Sequence, residues 1–120
     1  MPKRGDDFAA GGYVPELGHV VHMNWDPAVG HEMKGPHYAL VVSATRFNHG
    51  TGFAVLSPIT SKAGKPSGFE FPVTAGRVRG VAILSALRTI DYQARSVQYE
   101  HHVNAAKIAE ATRRIRLIFP

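Results

Sequence analysis

His31, Glu32, Lys34 and His37 stand within one short segment, Asp26-Pro-Ala-Val-Gly-His-Glu-Met-Lys-Gly-Pro-His37. They form an acid, base and cation set. Histidine has an unperturbed pKa of about 6.5, so both protonation states are populated near neutral pH. A histidine pair can therefore take a proton from one reacting group and return one to another. Pro27, Gly30, Gly35 and Pro36 punctuate the segment, which reads as a loop. Loops carried by a rigid sheet present side chains for binding and catalysis.

The elements flanking this loop are strand-like. Period-two alternation rich in β-branched and aromatic residues predicts a strand at 19–25, and Tyr38–Ala44 reads as a nearly continuous buried one. The turn-forming stretch Asn48-His-Gly-Thr-Gly52 then precedes the apolar run Phe53–Ile59, the pattern of a hairpin. A polar loop follows at 60–68, carrying Lys62 and Lys65, with further short strands expected at 69–73, 79–84 and 88–91. Beyond these the period becomes helical. Asn104 is placed as an N-cap, Ile108, Ala111, Ile115 and Ile118 form an apolar stripe, and Arg113, Arg114 and Arg116 complement the dipole in the last turns. About five to seven short strands and one C-terminal helix imply a mainly β fold, a small bent sheet or barrel with the helix packed on it. Glycine and proline placement leaves little room for a βαβ unit.

The chain has 120 residues, 44% of them hydrophobic, and no cysteine. That length supports one domain; we read 1–12 as a polar lead-in and 13–120 as the domain. Without cysteine there is no disulfide framework, thiol nucleophile or Cys-ligated zinc, a composition that fits a cytoplasmic protein. Apolar stretches fall well short of the roughly 20 residues of a membrane-spanning helix. No apolar core follows the charged start, so it does not read as a secretory signal. The net charge is +5 before seven histidines are counted, which favours a polyanion such as nucleic acid or an acidic protein. A metal site is not expected. His19 and His22 point to opposite faces of one strand, and His101-His102 lacks an obvious third ligand.

In order, Tyr13-Val-Pro-Glu-Leu-Gly-His-Val-Val, Trp25-Asp-Pro-Ala-Val-Gly-His-Glu, Ala39-Leu-Val-Val-Ser, Phe47-Asn, Ser57-Pro-Ile-Thr60, Gly80-Val-Ala and Arg88-Thr-Ile-Asp91 resemble the MazF/PemK family of type II toxin–antitoxin toxins. The resemblance runs in register from about Tyr13 to the C-terminus. Asp26-Pro-x-x-Gly-His-Glu and Arg88-Thr-Ile-Asp are its specific parts. It implies an SH3-like small barrel of the CcdB/PemK type, a homodimer, and sequence-selective, metal-independent cleavage of single-stranded RNA. It also implies neutralisation by a small acidic antitoxin of the MazE/PemI kind.

The chain departs from that pattern at chemically important places. Many members read Gly-x-Arg-Pro where this chain has Gly35-Pro-His37-Tyr38, so His37 occupies the position of a catalytic arginine. The PemK branch carries an arginine and an aspartate where this chain has Ile83 and Ser85, and a glutamine where it has Ala86. Its acid/base pair is thus missing here. His31, Glu32 and Thr60 match family positions.

Metal-free RNA cleavage needs a base for the 2′-hydroxyl proton, an acid for the departing 5′-oxygen and a cation for the phosphorane. The catalytic candidates are His37, His31, Thr60 and Glu32. His37 is either the acid or phosphate stabiliser, which makes that role pH-dependent, or the mark of a lost site. His31 is a base, a phosphate ligand or a loop histidine bonded to backbone. Glu32 is a base or a structural partner, for instance of Lys34. Thr60 either donates to a phosphate or caps the turn after its strand.

The RNA-binding candidates are Lys34, Lys62, Lys65, Arg88, Trp25 and Tyr38. Arg88 either binds phosphate or pairs with Asp91. Trp25 and Tyr38 either stack on unpaired bases or pack in the core. Two further readings stand beside the nuclease: a catalytically weakened protein that still binds RNA or antitoxin, and a DNA-gyrase inhibitor on the same barrel.

Overall fold

The computed structural model describes residues 12–62 and 68–120. The lead-in, except Gly12, and Lys65 lie outside the described residues. The elements run β1 (His19–Asn24), β2 (Pro36–Val41), α1 (Thr45–Thr51), β3 (Phe53–Thr60), β4 (Glu70–Ala75), β5 (Val78–Ile83), β6 (Arg88–Asp91), β7 (Gln98–His102) and α2 (Ala105–Arg116). The strands form one antiparallel sheet in the order β4-β5-β3-β2-β1-β7, with β6 paired to β3 beside this path. This is the mainly β small barrel with a C-terminal helix that the sequence suggests, closed only partway.

β3 holds the sheet together by changing partners along its length. It pairs with β6 from Phe53 to Leu56, with β2 from Leu56 to Pro58, and with β5 only at Ile59 and Thr60. Gly80 permits the last contact. A Cβ there would lie 2.5 Å from the Thr60 carbonyl oxygen and 2.9 Å from Ile59 Cγ2.

Strand alternation sends successive residues into two cores on opposite faces. Val20, Leu40, Ile59, Val73 and Ala82 face α2 and meet its Ile108 and Ala111. Val21, Met23, Trp25, Ala39, Val41 and Leu56 face the other way, onto Ile90, Tyr92 and Val97. Two-sided burial explains why Tyr38–Ala44 reads as continuously apolar rather than alternating.

α2 begins at the anticipated N-cap, with Asn104 Oδ1 accepting the Lys107 N–H at 2.8 Å. Ile118 lies past the end of the helix and is exposed.

Three expectations are corrected. The Asn48–Gly52 stretch is not a hairpin turn but the second half of α1 and its C-cap. Asn48 is fully buried there: its Oδ1 accepts from Ser43 Oγ at 2.6 Å and its Nδ2 donates to the Pro15 carbonyl at 2.9 Å. Those tertiary bonds override the turn preference of Asn and Gly. The second correction is β7, an unanticipated strand whose polar side chains lack an alternating signal. Thirdly, β2 starts at Pro36, so His37 belongs to the sheet rather than to the loop.

Candidate active site

The Asp26–Gly35 loop is organised by its own polar groups. Asp26 Oδ1 accepts the Gly35 N–H at 3.0 Å, and the Trp25 N–H donates to the Gly35 carbonyl at 2.9 Å, closing the base of the loop. Glu32 Oε1 accepts the Val29 N–H at 2.8 Å, while the Glu32 N–H donates to the Val29 carbonyl at 3.2 Å. Glu32 is therefore used to shape the loop tip. His31 and Lys34 are exposed on the same loop.

Two arginines fasten the loop to the body. Arg88, opening β6, donates through Nη1 to the Trp25 carbonyl at 2.6 Å. Arg95, in the turn after β6, donates through Nη1 to the carbonyls of Asn24 at 3.1 Å and Asp26 at 2.7 Å. Three consecutive carbonyls, of Asn24, Trp25 and Asp26, thereby accept from charged donors, the stronger class of hydrogen bond. Of the two expectations for Arg88, the structure shows no ion pair with Asp91 among the described residues; one N–H of its guanidinium holds the Trp25 carbonyl, and the side chain also lines a hollow beside the loop. Arg95 carried no motif and was missed.

Trp25 is 2% exposed within the core, so it is not a stacking platform for bases. Its Nε1 has no hydrogen-bond partner among the described residues. Tyr38 is half-buried, packed against the α2-side core and meeting His22 edge-on at 5.0 Å between ring centroids.

Thr60 ends β3, and its Oγ1 accepts the Lys62 N–H at 3.1 Å, the turn-capping alternative. Lys62 is exposed. Ile83 contributes its carbonyl to Ser57 Oγ at 2.8 Å, and the exposed Ser85 and Ala86 follow it.

Two hollows flank the loop. One, of about 230 Å³, is lined by Trp25, Glu32, Met33, Ala86, Leu87 and Arg88. The other, of about 260 Å³, opens where β3 has left β2 for β5; His22, His37, Tyr38, Ser61, Arg77 and Arg79 line it. The structure thus gathers His37 and Tyr38 with His22, Ser61, Arg77 and Arg79, none of which is among the catalytic or RNA-binding candidates of the sequence. His31, Thr60 and Lys62 do not line this hollow, and Glu32 lines the other one. Arg79 was legible only as a strand residue next to Gly80; no motif marked it. Among the described residues no group of three or more His, Asp or Glu is placed to hold a metal ion.

Comparison with known proteins gives a consistent result. The family described as "PemK-like, MazF-like toxin of type II toxin-antitoxin system" matches residues 16–119. Endoribonuclease toxin MazF of Escherichia coli K12 is 33% identical over 85 residues, which cover 69% of this chain and 74% of that protein. Endoribonuclease toxin ChpB of the same strain is 36% identical over 85 residues, 67% of this chain and 72% of that one. The crystal structure of MazF from Deinococcus radiodurans superposes with a TM-score of 0.79 at 34% identity, over 88% of this chain and 96% of that one. A MazE–MazF structure from the same organism superposes at 0.74 with 32% identity, over 88% and 96% of the two chains.

Proposed function

Because the chain belongs to the PemK-like, MazF-like toxins of type II toxin–antitoxin systems, we propose that it is a growth-inhibiting endoribonuclease that cuts single-stranded RNA, with His37 at its reacting centre. Residues 13–120 are the toxin domain. The observation that carries the assignment of the centre is the hollow beside His37, whose ionisable lining is histidine, tyrosine and arginine without a carboxylate. Such a lining suits a polyanion.

In this reading a base removes the 2′-hydroxyl proton, and the 2′-oxygen attacks phosphorus. The bond from phosphorus to the 5′-oxygen breaks, and an acid protonates that oxygen. The products are a 2′,3′-cyclic phosphate and a 5′-hydroxyl. Every step can be served by side chains, so cleavage persists in EDTA. His37 donates the proton or holds the phosphate; the partner base assigned by the family match is His31, which stands exposed on the adjoining loop, outside the hollow. Lys34 and Lys62 bind flanking phosphates. Thr60 and Glu32 fix the strand end and the loop tip rather than exchange protons.

The similar structures from Deinococcus radiodurans include complexes of MazE with MazF. By that likeness, and from its positive charge, the protein binds a small acidic antitoxin and acts as a homodimer in the cytoplasm. No helix among the described residues is long and apolar enough to cross a membrane.

The test is end-mapping of RNA after incubation with purified protein, with and without EDTA. Cleavage leaving cyclic phosphate ends, lost in His37→Ala, is expected. Equal cleavage by wild type and His37→Ala overturns the role of His37. The uncharged Ile83, Ser85 and Ala86 favour a second reading, a weakened toxin that binds without cutting; tight RNA binding with no cleavage selects it.

A further inference from the structure

The hollow beside His37 is built by four strands and carries charge of one sign. His22 comes from β1, His37 and Tyr38 from β2, Ser61 follows β3, and Arg77 and Arg79 flank the start of β5. At about 260 Å³ it has several times the roughly 30 Å³ that one water occupies in the liquid, enough for a phosphodiester group. The edge-on contact of Tyr38 with His22 fixes one wall.

The two arginines are not equivalent. Arg77 is occupied: its Nε donates to Glu100 Oε2 at 3.0 Å and its Nη2 to Glu100 Oε1 at 3.3 Å. Arg79 is exposed, opposite Thr74 in the β4–β5 pairing, and no carboxylate among the described residues pairs with it. It also precedes Gly80, which lets β5 come close against the Thr60 carbonyl. The available guanidinium and the end of β3 are thus held together by backbone packing.

We propose that Arg79 binds the scissile phosphodiester from β5, supplying the guanidinium that β2 lacks where it carries His37. The proposal rests on the ribonuclease reading. It also explains how a histidine can stand at His37 without loss of the site. A guanidinium stays charged and cannot exchange a proton, so it serves as the cation alone. With that duty moved to β5, the imidazole on β2 is released for proton transfer.

The experiment uses two oligonucleotides, an all-RNA substrate and a version with deoxyribose at the cleaved position that can only bind. Arg79→Ala is expected to weaken binding of the uncleavable strand and to flatten the salt dependence of log K by about 0.7, one phosphate contact. Its cleavage rate should fall about a hundredfold. Arg79→Lys should recover most of the binding. Arg116→Ala, which removes an exposed cation from α2, should change neither. Unchanged binding in Arg79→Ala, or an equal loss in Arg116→Ala, overturns the contact. If wild type binds but does not cut, the nuclease reading fails, while the binding data still decide the phosphate contact.

Discussion

Arg77 and Glu100 join the two ends of the sheet. The guanidinium sits in the β4–β5 turn, the carboxylate on β7, and Nε to Oε2 measures 3.0 Å. The hydrogen bonds and charge of Glu100 raise the Arg77 pKa above its ordinary value. Next to it, Gly76 has φ +60°, and a Cβ there would lie 2.7 Å from His101 Cδ2. Partial closure of the barrel thus rests on one ion pair and one close approach.

These two devices should contribute unequally. The Arg77 side chain is 76% exposed, so Glu100→Ala should lower stability only slightly, and less still at high salt. Gly76→Ala meets both an unfavourable φ and the His101 ring. That ring cannot swing away freely, since its Nδ1 accepts the His102 N–H at 2.8 Å. A loss of about 1–2 kcal/mol is expected for the φ alone. Urea denaturation of the two variants checks the order.

Arg88 and Arg95 brace the Asp26–Gly35 loop through its backbone carbonyls. Arg88→Met removes a charged donor from the Trp25 carbonyl and should lower stability by about 1.5–3 kcal/mol. Arg95→Met frees the carbonyls of Asn24 and Asp26. Its expected signature is faster amide exchange at Glu32 and Gly35, with kcat reduced more than KM is raised. Equal exchange in wild type and variant would show that the loop holds its shape unaided.

Asn48 is where sequence and structure part, and its energetics show why. Replacing it with alanine leaves the Pro15 carbonyl and the Ser43 O–H donor without their partner inside the protein, although Ser43 Oγ still accepts the Val55 N–H, so a loss of about 2–4 kcal/mol is expected. Tyr92→Phe should cost only about 1 kcal/mol. The Asn48 carbonyl that accepts the Tyr92 hydroxyl at 2.7 Å also accepts the Gly52 N–H at 3.1 Å, and so stays satisfied. Thermal melts of the pair distinguish a buried network from a simple turn.

What the sequence made legible follows from the range of the interactions involved. β1, β2, β3 and α2 were readable because their signals are local: alternation, a buried apolar run, an N-cap three residues before its donor. The family motifs marked His31, Glu32, His37 and Thr60 for the same reason. α1 was not readable, since its decisive bonds reach from Asn48 to Pro15 and Tyr92, far along the chain. β7 escaped because Gln98–His102 owes its conformation to pairing with β1. The arginines divide likewise. Arg88 stood out by its motif yet serves the backbone, while Arg79 carried no motif yet lines the hollow with His37. Which cation faces the substrate depends on which others the fold has already engaged.

Glu110 provides a pH dependence with a definite sign. Hydrogen bonds from Arg113 and then Arg114 lower its pKa from 4.5 to about 2. A carboxylate depressed in the folded state stabilises above its unfolded pKa and loses that contribution as pH falls through the folded value. The stability difference between wild type and Glu110→Gln should therefore be constant near neutrality and shrink between about pH 5 and pH 2. The group is exposed, so the difference should be small and should diminish with salt. A difference that grows on acidification would contradict the pairing.

Gly80 links stability to the site most directly. In Gly80→Ala the new methyl meets the Thr60 carbonyl oxygen at 2.5 Å and Ile59 Cγ2 at 2.9 Å, and a backbone oxygen cannot rotate out of the way. β5 must withdraw from β3, at a cost of about 1–3 kcal/mol. That withdrawal carries Arg79 away from the end of β3, so RNA cleavage should fall more than the change in folded fraction explains. Gly50→Ala is the matched comparison: nothing lies within 4 Å of its Cβ position. It sits in an exposed part of α1, where alanine should stabilise by about 0.5–1 kcal/mol. If Gly80→Ala lost stability but cleaved as well as wild type per folded molecule, the β3–β5 approach would matter to the fold alone. Loss of both would place that approach in the geometry of the site.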